Sequence, residues 1–183
     1  MSKRIMNSVF DCSNDCNVKI YYQDTDSIHL NYDDVDKVVK RYKEKYGKDL
    51  VGKNLGNFHI DFKMAGACKK AEIYAIESLF LGKKTYIDIL ESTDKKGKTI
   101  NSEHIRMKGI PTPCIKYYAE KHKLTVLDVF KQLYDNKTIK FDLTNDGNKF
   151  VSRRNKDHTI SKVTDFTRRT QYIRDKGDKF FIN

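Results

Sequence analysis

Apolar positions recur at three- and four-residue spacing near the start of the chain. Ile5, Val9, Cys12 and Cys16 fall on one face, which predicts a helix over residues 3–16. Two short runs rich in β-branched and aromatic residues follow, Val18-Lys19-Ile20-Tyr21-Tyr22 and Ser27-Ile28-His29-Leu30. Between them lies the polar run Gln23-Asp24-Thr25-Asp26, so the pattern predicts strand, tight turn, strand. Helical spacing returns from Asp33 to Tyr46, with Val35, Val38, Val39, Tyr42 and Tyr46 as the apolar stripe. Acids crowd its first turn and Gly47 stops it.

Residues 57–64, 71–80, 83–91 and 99–107 read as strands, with Leu81-Gly82 as the turn between the middle two. Thr112 is expected to cap a short helix with Pro113 at its first position. Thr125 is expected to cap another, with Asp128 three residues on as a near capping box. Residues 138–144 and 148–154 alternate around Asn145-Asp146-Gly147, a hairpin signal, and strand-like sequence continues to about residue 174. The sum is an α+β chain, with a mixed front part over 1–100 and a β-rich, basic back part over 101–183. The polar turn Thr93-Asp94-Lys95-Lys96-Gly97-Lys98 precedes that soft boundary.

Composition narrows the class. At 183 residues the chain is one domain or two small ones, long enough to bury a core. Charged residues reach 33%, yet 11% aromatic content argues against disorder. Thirty-six Lys+Arg against 25 Asp+Glu leave a net charge of +11. That excess points to a polyanionic partner, nucleic acid first and an anionic membrane surface second. No run of about 18 apolar residues offers a membrane span. Met1-Ser2-Lys3-Arg4 is followed by no apolar core, so no secretory signal is read and an intracellular setting is expected. Four cysteines without dense spacing make no disulfide scaffold, and no second close Cys or His pair completes a zinc site. They read as reduced core cysteines.

The turn Asp24-Thr25-Asp26 carries the sharpest chemistry. Two carboxylates at i, i+2 on a hairpin tip repel each other when both ionise. A bound Mg²⁺ removes that penalty and also takes substrate phosphate oxygens. Aspartate is equally an ordinary turn residue, so residue types alone leave both readings open. Lys84 and Tyr86 are expected to alternate onto one strand face, where an ammonium and a phenol can hold a phosphodiester, or be plain sheet surface. Arg106 and Lys108 share a second expected strand face. Arg153, Arg154 and Lys156 cluster beside a turn, and Arg168, Arg169 and Arg174 surround Tyr172. Such clusters bind phosphates without reading sequence, or form a solvated face. His29 alternates with Ile28 and Leu30 and reads as structural. The other histidines are scattered, and Ser78, Ser92 and Ser102 lack a nucleophile's context.

The flanks of the turn add a resemblance. Tyr21-Tyr22-Gln23-Asp24-Thr25-Asp26-Ser27-Ile28-His29-Leu30 resembles the Tyr-x-Asp-Thr-Asp-Ser motif in the palm of family B DNA polymerases. It looks most like the protein-primed branch, found in bacteriophages, linear plasmids and some eukaryotic DNA viruses. Gln23 stands where many family members carry glycine. Lys84-Thr85-Tyr86 resembles the family's Lys-x-Tyr motif, and Glu103-His104-Ile105-Arg106-Met107-Lys108-Gly109-Ile110-Pro111 looks like the segment leading from palm to thumb. Residues 2–7 resemble the helix before the aspartate hairpin.

The resemblance implies a partial palm, a mixed or antiparallel sheet with helices over 1–100, and a β-rich duplex-binding thumb over 101–183. It implies template-directed DNA synthesis from deoxynucleoside triphosphates, with Mg²⁺, or Mn²⁺ in its place, held by Asp24 and Asp26. Thr25 would meet the nucleotide. Lys84 and Tyr86 would place the primer end of the primer-template DNA. Arg106, Lys108, Arg153, Arg154, Arg168 and Arg169 would hold the duplex. A terminal priming protein would be a partner. The upstream Asp-x-x-Ser-Leu-Tyr-Pro and Lys-x-x-x-Asn-Ser-x-Tyr-Gly motifs and the Asp-x-Glu exonuclease signature are not in these 183 residues. Two-metal transfer needs carboxylates from both sides of the cleft, so the chain is expected to need an N-terminal polymerase half. The competing readings are a non-catalytic DNA-binding module or decayed remnant, and an RNA-binding or structural protein with a chance Asp-Thr-Asp turn.

Overall fold

The computed structural model describes residues 3–142, 151–154, 156–157, 160–163, 169–171 and 180–182, with side-chain environments for 4–142, 156 and 157. The fold is α+β. In chain order the elements are α1 (Lys3–Asp15), β1 (Ile20–Asp24), β2 (Ser27–Leu30), a 3₁₀ turn (Tyr32–Asp34), α2 (Val35–Tyr46), β3 (Tyr74–Gly82), β4 (Thr85–Thr93) and β5 (Thr99–Met107). They continue with α3 (Thr112–Lys121), α4 (Val126–Tyr134), β6 (Ile139–Phe141), β7 (Val151–Arg154), β8 (Ile160–Val163), β9 (Arg169–Gln171) and β10 (Phe180–Ile182). Among the described residues, no helix is long and apolar enough to cross a membrane.

Contacts divide the chain into two compact units, Met1–Ile76 with Leu90–Ser102, and Glu77–Ile89 with Glu103–Asn183. The boundary expected near residue 100 therefore falls inside β5.

In the first unit the predicted helical stripes become the core. Val9 and Cys12 of α1 pack with Val38 and Tyr42 of α2, and Ile28 and Leu30 of the β1–β2 hairpin close over them. Asp15 near the end of α1 accepts from Arg41 Nε and from Lys45 Nζ, each at 3.0 Å, which ties α1 to α2. Lys43 and Lys45 sit in the last turn of α2, where cations suit the helix dipole. Gly47 takes the left-handed φ of 64° that closes the helix.

The strand expected over 57–64 does not form. Phe58 makes one isolated parallel bridge with Val51. Ile60 is 60% exposed rather than packed. Alternation alone makes no strand, because extended backbone needs a neighbouring ladder to take its amides and carbonyls.

The second unit contains residues 77–82 of β3, 85–89 of β4 and 103–107 of β5, strands of a sheet of order β10-β3-β4-β5. Leu79, Leu81, Ile87, Ile105 and Met107 alternate onto one face and join Ile115 of α3, Val129, Phe130 and Leu133 of α4, and Ile139 and Phe141 of β6. Fully burying one such side chain contributes about 1.5–3 kcal/mol. The capping box of α4 forms as predicted: Asp128 N donates to Thr125 Oγ1 at 3.1 Å, and Thr125 N donates back to Asp128 Oδ2 at 2.9 Å. Helix α3 starts one residue earlier than predicted, with Pro111 at the N-cap and Thr112 making no capping bond.

Strand pairing in the back part departs from the predicted hairpin. β6 pairs antiparallel with β9 (Ile139↔Gln171), and β7 pairs with β8 (Val151↔Val163). Asn145-Asp146-Gly147 lies outside the described residues. The buried Ile139 and Phe141 commit β6 to the helical core, and its ladder partner comes from far along the chain.

Candidate functional site

The aspartate turn is tighter than predicted. Asp24 pairs with Ser27 and Gln23 with Ile28, so only Thr25 and Asp26 remain in the turn of an antiparallel hairpin. Asp24 is half-buried, while Thr25 and Asp26 are exposed. The Thr25 amide donates to Asp24 Oδ1 at 2.9 Å and its hydroxyl does so at 3.2 Å. These bonds orient the Asp24 carboxylate from within the turn. Behind the tip, His29 meets Tyr22 edge-on at 5.5 Å and Phe62 at 6.2 Å between ring centroids, the structural role read for it.

Two carboxylates at an exposed tip fit a hard cation. Mg²⁺ is ordinarily held by one or two carboxylates plus waters and substrate phosphates. Among the described residues, no group of three His, Cys, Asp or Glu side chains is placed to hold a metal. The tip itself offers two carboxylates, Asp24 and Asp26.

The second cluster differs from its prediction in one respect. The turn between β3 and β4 falls at Lys83-Lys84, not at Leu81-Gly82. Lys84 is therefore an exposed turn residue at φ 58°, and it does not share a strand face with Tyr86. Tyr86 lies inside β4 at 8% exposure, its ring 5.8 Å from Phe80 and 5.7 Å from His104. Burial of both faces of β4 turns the phenol ring into packing, so the expected surface pair of lysine and tyrosine is not formed.

A different pairing takes its place. The Lys108 amide donates to the Lys84 carbonyl at 3.0 Å, so the turn just before β4 and the residue that follows β5 meet. Lys83, Lys84 and Lys108 are all exposed there. Arg106, also exposed, precedes on β5, and its Nη1 donates to the Ile105 carbonyl at 3.2 Å. Gly109 follows at φ 81°, a left-handed position that suits glycine. Arg153 and Arg154 lie in β7, opposite Ser161 and Ile160, and Arg169 lies in β9 opposite Phe141. Arg168 lies outside the described residues. Asp24, Thr25 and Asp26 belong to the first unit, and Lys84, Tyr86, Arg106 and Lys108 to the second.

A polar network escaped the sequence reading. Asp88 is fully buried; its Oδ1 accepts from Ser78 Oγ at 2.7 Å, and its Oδ2 lies 2.9 Å from His104 Nδ1. It joins β3, β4 and β5 on the sheet face opposite the helices. The available signal was one acid between Ile87 and Ile89 in an apolar strand.

No protein-family model, curated protein or solved structure matches the chain.

Chemically, the described residues offer a half-buried and an exposed carboxylate at one turn in the first unit and a group of exposed cations in the second. The first suits a divalent cation, and the second suits phosphates.

Proposed function

We propose that the chain is the C-terminal palm portion and thumb of a protein-primed family B DNA polymerase, acting in viral, phage or linear-plasmid DNA replication. The observation that carries the reading is the tip Asp24-Thr25-Asp26, two carboxylates held at the exposed turn of a two-stranded hairpin that packs on paired helices. In this reading Asp24 and Asp26 hold Mg²⁺, or Mn²⁺, which neutralises charge on a nucleoside triphosphate. Thr25 keeps Asp24 oriented and faces the nucleotide.

Lys84, Lys108 and Arg106 hold backbone phosphates of primer-template DNA, and Arg153, Arg154, Arg168 and Arg169 supply further cations for the duplex in this reading. Tyr86 contributes through packing beneath its strand rather than by direct contact. The reaction joins a primer 3′-oxygen to the α-phosphorus of the triphosphate, breaks the bond to the β-phosphate oxygen and releases pyrophosphate. The remaining palm carboxylate comes from a polypeptide bearing the two upstream motifs, so the 183 residues by themselves are expected to be inactive.

The test supplies that polypeptide, taken from a protein-primed polymerase, and measures Mg²⁺-dependent primer extension. Extension that needs both pieces, and is abolished by Asp24→Asn with Asp26→Asn while DNA binding persists, supports the reading. DNA binding without extension in any mixture reassigns the chain as a non-catalytic DNA-binding module. Extension by the chain alone contradicts the need for a partner.

A further inference from the structure

The first unit carries an aromatic surface that the proposed chemistry does not use. Tyr32 is 55% exposed and Tyr74 36%, with ring centroids 6.0 Å apart. Ile76, two residues beyond Tyr74 on β3, is 40% exposed. Each phenol is anchored: Tyr32 donates to Glu72 Oε2 at 2.6 Å, and Tyr74 donates to Glu91 Oε1 at 2.7 Å. Both phenols are thus tethered on residues that remain exposed. Glu72 foremost, then desolvation and the charges of Asp36 and Asp33, disfavours ionisation of Tyr32.

Carboxylates accompany both rings. Among the described residues, Asp15, Asp34, Glu44, Asp49, Glu77 and Glu103 each form an ion pair with lysine or arginine. Asp33, Asp36, Glu72 and Glu91 form none with a described lysine or arginine, as is also true of several other described acids. A patch of uncompensated carboxylates around two exposed rings, on a chain of net charge +11, is complementary to an external cation. It repels nucleic acid.

Rings and carboxylates together select the cation. A ring face attracts an organic cation, and guanidinium both stacks on aromatics and binds carboxylates through two parallel bonds. Each glutamate keeps acceptor capacity beyond its phenol bond, since a carboxylate offers about four lone-pair sites.

We propose that Tyr32, Tyr74, Glu72 and Glu91 form a docking surface for an arginine-rich segment of another protein. The proposal does not depend on the polymerase reading.

The test is fluorescence anisotropy of a labelled short oligoarginine peptide with the full chain at low ionic strength. Net positive charge on both partners opposes nonspecific association, so saturable binding reports a specific surface. Wild-type protein is expected to bind saturably. Glu72→Gln with Glu91→Gln, which keeps an acceptor for each phenol, is expected to weaken binding about tenfold, as is Tyr32→Leu with Tyr74→Leu. If the tyrosine variant fails to fold, the glutamine variant decides. Absence of saturable binding, or equal binding by the glutamine variant, overturns the proposal. So does concentration-dependent self-association that the glutamine variant abolishes, which would assign the surface to a second copy of this chain.

Discussion

The main-chain amide of Lys108 donates to the carbonyl of Lys84 at 3.0 Å. Two lysines far apart in sequence thereby stand side by side, with exposed Lys83 and Arg106 near them in the chain. If these cations hold phosphates, Lys84→Gln with Lys108→Gln lowers the slope of log affinity against log salt by about 2, at about 0.9 per phosphate contact on duplex DNA. Both side chains are exposed, so the urea midpoint stays within about 0.5 kcal/mol of wild type. An unchanged salt slope removes these two lysines from any DNA interface.

Asp88 is a stronger test of the sheet. Its carboxylate is sealed from water and serves both Ser78 and His104. Asp88→Ala leaves those groups without it and opens a cavity, and should cost about 3 kcal/mol by urea denaturation. Ser78→Ala, which removes one donor, should cost about 1 kcal/mol. A loss below about 1 kcal/mol for Asp88→Ala would mean the network adds nothing net.

The aspartate tip predicts the opposite balance. Asp24→Asn preserves an acceptor for Thr25, and Asp26 is exposed, so the double Asn variant should melt within a few degrees of wild type. Relief of like-charge repulsion works in its favour. In NMR spectra of the wild-type chain, Mn²⁺ should broaden the amide signals of residues 24–27 selectively. The double variant should lose that broadening. Persistent broadening would place the cation elsewhere.

Acid should loosen the helix pair. Hydrogen bonds from Lys45 and then Arg41 hold the Asp15 carboxylate below its usual 3.8. A depressed native pKa contributes stability that is fully present above the ordinary value and is lost as pH falls through the native one. The urea midpoint of wild type should therefore exceed that of Asp15→Asn at neutral pH, with the gap closing in acid below pH 3.8. A gap independent of pH would show that the ion pairs contribute no linked stability.

Local rules carry much of the fold. The stripe of Val9 and Cys12, the stop at Gly47, the capping box of Thr125 with Asp128 and the hairpin around Thr25 and Asp26 each depend on residues within a few positions of one another. Periodicity and turn chemistry encode such features directly in the chain. The carboxylate pair was legible for the same reason.

What the tertiary structure decided is what covers each surface and which distant segments pair. Tyr86 alternates in sequence as a surface residue would, but β4 is buried on both faces, so its ring packs against Phe80 and His104. Residues 57–64 alternate like a strand but find only one bridge to pair with. β6 bonds to β9 rather than to the strand that follows it, and Lys84 meets Lys108 through a turn displaced from its expected place. Sequence spacing fixes the direction of a side chain relative to its neighbours in the chain. Burial depends on a second surface supplied from elsewhere, and only the assembled core determines whether that surface is present.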